Sequence, residues 1–177
     1  MKTANTLLGG FAAAALLLGS CVSAHETLVK VKNPNPAKGE QVEADIYVTH
    51  VVIDSSEEVL EPHQVDVALV QNGKSTAMKT TPDHAAKLTR VEPAAYPENG
   101  AAWLTVHQKP RLYSQTPEGM KEGDKDSIKG AKVLFTNKYE KFAKVLLNAD
   151  PADASYAEPV GHLLEIVPAV NPAAMYF

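Results

Sequence analysis

"QVEADIYVTHVV", Gln41 to Val52, alternates apolar and polar residues with a period of two. Val42, Ala44, Ile46 and Val48 fall on one side, and Gln41, Glu43, Asp45 and Tyr47 on the other. Successive side chains of a strand point to opposite faces, so the stretch predicts a half-buried β-strand. His50 continues the apolar phase at its end.

The same period recurs along the chain. "VDVALVQNGK" sets Val65, Val67 and Leu69 on one face, and Asn72-Gly73 then predicts a type I′ hairpin turn with a return strand over Ser75–Lys79. "AAWLTVHQ" places Trp103, Thr105 and His107 on one face and Leu104 and Val106 on the other. After Lys109-Pro110, "RLYSQT" is expected to pair back with it. "EGMKEGDKDSIKG", charged and rich in glycine, reads as an exposed loop. "AKVLFTNKYEKFAKVLLNA" admits a helix through Tyr139, Phe142 and Leu146, or a strand through Lys141, Ala143, Val145 and Leu147. The lack of helix caps and the surrounding β pattern favour the strand. "HLLEIVP" is read as a last short strand, with Leu164 and Ile166 on one face.

Prolines from Pro34 to Pro117 punctuate these runs, a spacing that suits short strands and opposes long helices. The expectation is an all-β chain: a single-domain, immunoglobulin-like β-sandwich over residues 25–177. A domain of this size buries about 70% of its unfolded surface, enough for a real core.

Residues 1–24 carry the parts of a secretory signal peptide: Lys2, the apolar run Leu7 to Leu18, and the small residues Val22-Ser23-Ala24. The run is shorter than the roughly 20 residues a spanning helix needs, so no membrane span is expected in the mature chain. Cleavage after Ala24 makes His25 the first residue; lipidation of Cys21 is the alternative, making the protein a lipoprotein. Cys21 is the sole cysteine and lies inside this signal, so the body has no disulfide. An exported domain without disulfides points to a periplasmic location. The net charge is −4 and no basic stripe exists, which argues against nucleic acid as a partner.

The residues offer no serine elbow, no cysteine nucleophile and no glycine-rich phosphate loop, so no enzyme is expected. Glu57-Glu58 reads as a solvated turn, since acid–base work needs a carboxyl tuned by burial. Six histidines remain: His25, His50, His63, His84, His107 and His162. Neutral imidazole is a ligand for nickel, copper, zinc and cobalt, and an amino-terminal His25 would add its amine. His50 and His107 each end a strand, so both can converge at one mouth of a sandwich beside His25. His63, His84 and His162 read as surface or structural histidines, and no HExxH or H-x-x-H spacing occurs.

"NKYEKFAKVLLNADPADASYAEPVGHLLEIVPAVNPA", Asn137 to Ala174, resembles the domain-of-unknown-function 4198 family of exported proteins. "AHE" at Ala24–Glu26, "THVVIDSSEEVLEP" at Thr49–Pro62 and "GAAWLTVHQKPRLYSQTPEGMKE" at Gly100–Glu122 also match family positions. The resemblance implies a periplasmic β-sandwich serving a membrane cobalt/nickel transporter, with Ni(II) or Co(II) as the carried ion and no organic cofactor. Carried over singly, His25, His50 and His107 match family histidines and form the expected metal ligands, with Glu26 supporting the site. Relatives run past "NPA" into a second β-domain, which this chain, ending "NPAAMYF", is expected to lack. Two other readings stand beside this one: a non-catalytic interaction module of the cell envelope, and copper binding through His25.

Overall fold

The computed structural model describes residues 25–50 and 56–175, and the signal-peptide reading of residues 1–24 lies outside them. Among the described residues, nine antiparallel strands form two sheets: β1 (Glu26–Val31), β2 (Gln41–Thr49), β3 (Val65–Gln71), β4 (Lys74–Met78), β5 (Thr80–Asp83), β6 (Leu88–Ala95), β7 (Ala102–Thr116), β8 (Gly119–Glu122) and β9 (Phe135–Leu147). The first sheet runs β1-β2-β6-β5. In the second, β3 carries β4 on one side and β7 on the other, and β7 also pairs β8 and β9. The β-sandwich expected from the period-two pattern is thus the observed architecture. Among the described residues no helix is long and apolar enough to cross a membrane.

The alternation in Gln41–Thr49 does what its pattern predicts. Val42, Ala44, Ile46 and Val48 are each about 1% exposed, and they face Val65, Val67, Leu69, Leu104, Val106 and Leu147 of the other sheet. Removing the valine, isoleucine and leucine side chains of this set from water contributes roughly 1.5–3 kcal/mol apiece. The ambiguous segment is the strand β9, which runs beside β7 for almost its whole length. Its residues Ala143 and Val145 pack against the core.

Four readings are corrected. "RLYSQT" does not fold back on "AAWLTVHQ"; both belong to the one fifteen-residue strand β7, and the strand absorbs Lys109-Pro110 as a register shift between Gln108 and Arg111. A proline can sit in a strand where a bulge leaves its position outside the ladder. The supposed loop after Thr116 begins with β8, which closes a hairpin on β7. Pro82 and Pro93 lie within strands β5 and β6 rather than between strands.

"HLLEIVP" forms no strand. Residues 148–175 instead make an irregular strap, fixed at its start by Asn148, whose backbone N–H donates to Pro34 O (2.9 Å) and whose Nδ2 donates to Pro36 O (2.7 Å). It returns over the outer face of β9. There Lys144 Nζ lies 2.5 Å from Glu165 Oε1 and 4.3 Å from the Trp103 ring centroid. Glu165 also accepts from the backbone N–H groups of Val160 and Gly161, so ion pairing and backbone bonds replace a ladder. Leu163, Leu164 and Ile166 stay more than 70% exposed.

Candidate metal centre

The register of β1 on β2 pairs Glu26 with Thr49. One step further it sets His25 opposite His50, and their ring centroids lie 3.8 Å apart with the planes tilted by 40°. Directly opposed residues of an antiparallel pair bring their side chains into contact. The close approach therefore follows from strand pairing between segments far apart in sequence.

A third group arrives from the segment after the undescribed residues 51–55. Ser56 is buried, and its Oγ accepts from Val48 N–H (2.9 Å) and donates to Glu58 O (2.8 Å). Glu57 N–H donates to Val48 O (2.8 Å), and Glu58 bridges Val48. These bonds lay residues 56–58 along the end of β2. The Glu57 side chain then meets both rings: Oε2 is 2.8 Å from His50 Nδ1 and 3.0 Å from His25 Nε2.

The hydrogen bond from His50 holds the Glu57 carboxyl below the ordinary carboxylate range; desolvation opposes it in part, and the hydrogen bond from His25 lowers it further. An ionised Glu57 accepts from both rings at neutral pH. Two imidazole nitrogens and one carboxylate oxygen, all within 4.8 Å of one another, suit a borderline divalent ion. Bonds of about 2.1 Å at right angles make ligand–ligand edges of about 3.0 Å, close to the two nitrogen–oxygen separations. A bound ion would replace the two bridging protons, which shift to the far ring nitrogens. The side chains of His25, His50 and Glu57 are 37%, 23% and 46% exposed, so the site is shallow and open to exchange.

His107 stands outside this trio. Its Nε2 lies 2.9 Å from Glu140 Oε1, and its ring stacks on Phe142 at 4.7 Å and 11°. Phe142 in turn touches His162 at 4.9 Å. Strand alternation is the reason: Leu104, Val106 and Gln108 point inward, which sends His107 to the outer face with Trp103 and Thr105. His63 lies in an exposed turn, and His84 pairs with Glu61 at 3.3 Å on the surface. Glu26, expected to support the site, is exposed on β1, and Glu57 supplies the carboxylate instead.

A family model described as "Domain of unknown function (DUF4198)" matches residues 22–177. The chain belongs to this family. No curated protein and no solved structure matches it. The family's description leaves its function open, so the arrangement of this member's own side chains has to carry the chemistry.

Glu57 is the residue that sequence reasoning passed over. Its adjacent carboxylates read as a solvated turn, and the two side chains in fact diverge: Glu57 to the histidines, Glu58 to Arg111. The usable signal was "SEE" following a histidine-ended strand, but nothing local tells which carboxylate turns back.

Proposed function

We propose that this DUF4198 protein is a periplasmic metal-binding accessory that takes up a divalent late transition ion, Ni(II) or Co(II), and passes it to a membrane transporter. The observation that carries the binding half is the convergence of His25 Nε2, His50 Nδ1 and Glu57 Oε2. Three donors leave further coordination positions for water or for a donor of the receiving protein, and a shallow site exchanges its ion faster than a closed cage. The choice of nickel or cobalt and the transporter as recipient rest on the family resemblance of "AHE", "THVVIDSSEEVLEP" and the "VGHLLEIVP" region.

Copper is the competing ion, because Cu(II) exceeds nickel and cobalt at most nitrogen sites. A chelate through a free His25 amine would close through Nδ1, the nearer ring nitrogen, whereas Nε2 is the nitrogen beside Glu57. The side-chain trio therefore needs no free amine. The interaction-module reading draws on Leu163, Leu164 and Ile166, which the strap presents to solvent.

Thermal unfolding of the full mature chain with and without nickel or cobalt tests the proposal. An ion at one hundred times its dissociation constant stabilises the folded state by about 2.7 kcal/mol. That gain is expected in the wild type and is expected to vanish in His50→Ala and Glu57→Gln. Equal melting curves with and without metal would sink metal binding and leave the docking module.

A further inference from the structure

Strand β7 changes face part-way along. Gln108 pairs with Lys141 and Arg111 with Tyr139, so β7 uses three steps where β9 uses two. A bulge of this kind re-aims the side chains that follow it. Without it Arg111 would share the outer face of His107; with it Arg111 joins Gln108 and Lys141 on the face toward the first sheet. Three long side chains then reach across to the metal-site end. Thr27 Oγ1 donates to Gln108 Oε1 (2.6 Å), Lys141 Nζ donates to the carbonyl of His25, and Arg111 Nη1 donates to Glu58 Oε1.

The arginine is the most constrained of the three. Its side chain is 14% exposed, and Nε and Nη2 grip both oxygens of Glu122 on β8 at 2.9 and 2.8 Å. That fork aims the remaining Nη1 at Glu58, next in sequence to Glu57. Alternation along residues 56–58 turns Glu58 toward Arg111 while Glu57 turns toward His25 and His50.

We propose that Arg111 is a positioning residue for the metal centre: by holding Glu58 it fixes the peptide that presents Glu57 and keeps the second carboxylate away from the ion. Without the guanidinium, two neighbouring carboxylates would share the site, repel each other and offer a disordered choice of oxygen ligand. The inference rests on the His25–His50–Glu57 reading, and its failure has its own signature.

Cobalt(II) is the probe, with the full mature chain, using competition against a chromophoric chelator and the visible absorption of the bound ion. Arg111→Met is expected to lower cobalt affinity about tenfold to a hundredfold, as losses of groups that orient metal ligands do, and to alter the visible bands. Arg111→Lys is expected to restore part of the affinity, since an ammonium makes one contact where the guanidinium makes a fork. Glu58→Gln is expected to weaken binding in the same direction and carries the test if Arg111→Met does not fold. Wild-type affinity and spectrum in Arg111→Met or Glu58→Gln, beside lost binding in Glu57→Gln, would overturn the positioning role and leave the metal site standing. No cobalt binding by the wild type, or undiminished binding by Glu57→Gln, would overturn the site reading itself.

Discussion

Gln108 and His107 are neighbours on β7 and serve opposite sides of the sandwich. Gln108, 6% exposed, accepts from Thr27 on the inner side, while His107 bonds Glu140 on the outer side and stacks on Phe142. One step of strand alternation thus separates a histidine from the site at which its sequence position aimed it.

Metal affinity should divide the histidines along this line. His107→Ala is expected to leave nickel and cobalt affinity unchanged, while His25→Ala and His50→Ala are each expected to lower it by at least about tenfold. Isothermal titration of the three variants checks this. Equal losses in all three would put His107 back in the ligand set.

The strap should loosen in mild acid. Burial holds His162 below its usual pKa; the Glu165 carboxylate opposes that, and the nearby Lys144 ammonium reinforces it. A histidine depressed in the folded state binds its proton more readily when undocked. Its contribution to docking is therefore complete above the free value of about 6.5 and is lost as pH falls from there toward the depressed folded pKa. The protection of the Val160 and Gly161 amides, whose N–H groups bond Glu165, measured against the intrinsic exchange rate at each pH, should fall between pH 7.5 and 5.5. In His162→Gln that loss of protection should be smaller.

The core should be least forgiving at Leu104. It is fully buried between strands β3 and β9, and Leu104→Ala should destabilise the domain by about 3 kcal/mol through lost transfer energy and a residual cavity. Urea unfolding measures the change. A loss below about 1 kcal/mol would mean that the sheets collapse into the space.

The β3–β4 turn isolates a pure backbone effect. Asn72 and Gly73 have φ of 51° and 70°, as a type I′ turn requires, and a Cβ on Gly73 would meet no atom within 4 Å. Gly73→Ala should therefore cost about 1 kcal/mol by left-handed strain alone. An unchanged melting temperature would show that the turn relaxes to another type.

Much of the fold was legible because local chemistry dictates it. Period-two alternation marked β2, β3 and the first half of β7, and Asn72-Gly73 marked the hairpin. The misreadings fell where local signals conflict with long-range ones. Pro110 looked like a strand end, yet fifteen residues of β7 are held by β3, β8 and β9 together, and a bulge accommodates the proline. Leu164 and Ile166 alternate like strand residues, yet the strap pairs with no strand: Glu165 is taken up instead by Lys144 and by the N–H groups of Val160 and Gly161.

The sequence by itself determined the β class, the buried faces and the supply of imidazoles, because periodicity and residue type act within a few residues. Which groups meet was decided only by the tertiary structure. His25 and His50 come together through the β1–β2 register, Glu57 through Ser56 and its own N–H on Val48, and Arg111 through a bulge that reverses its face. Register and face are properties of strand pairs, and a one-residue change in either moves a ligand to the other side of the sheet.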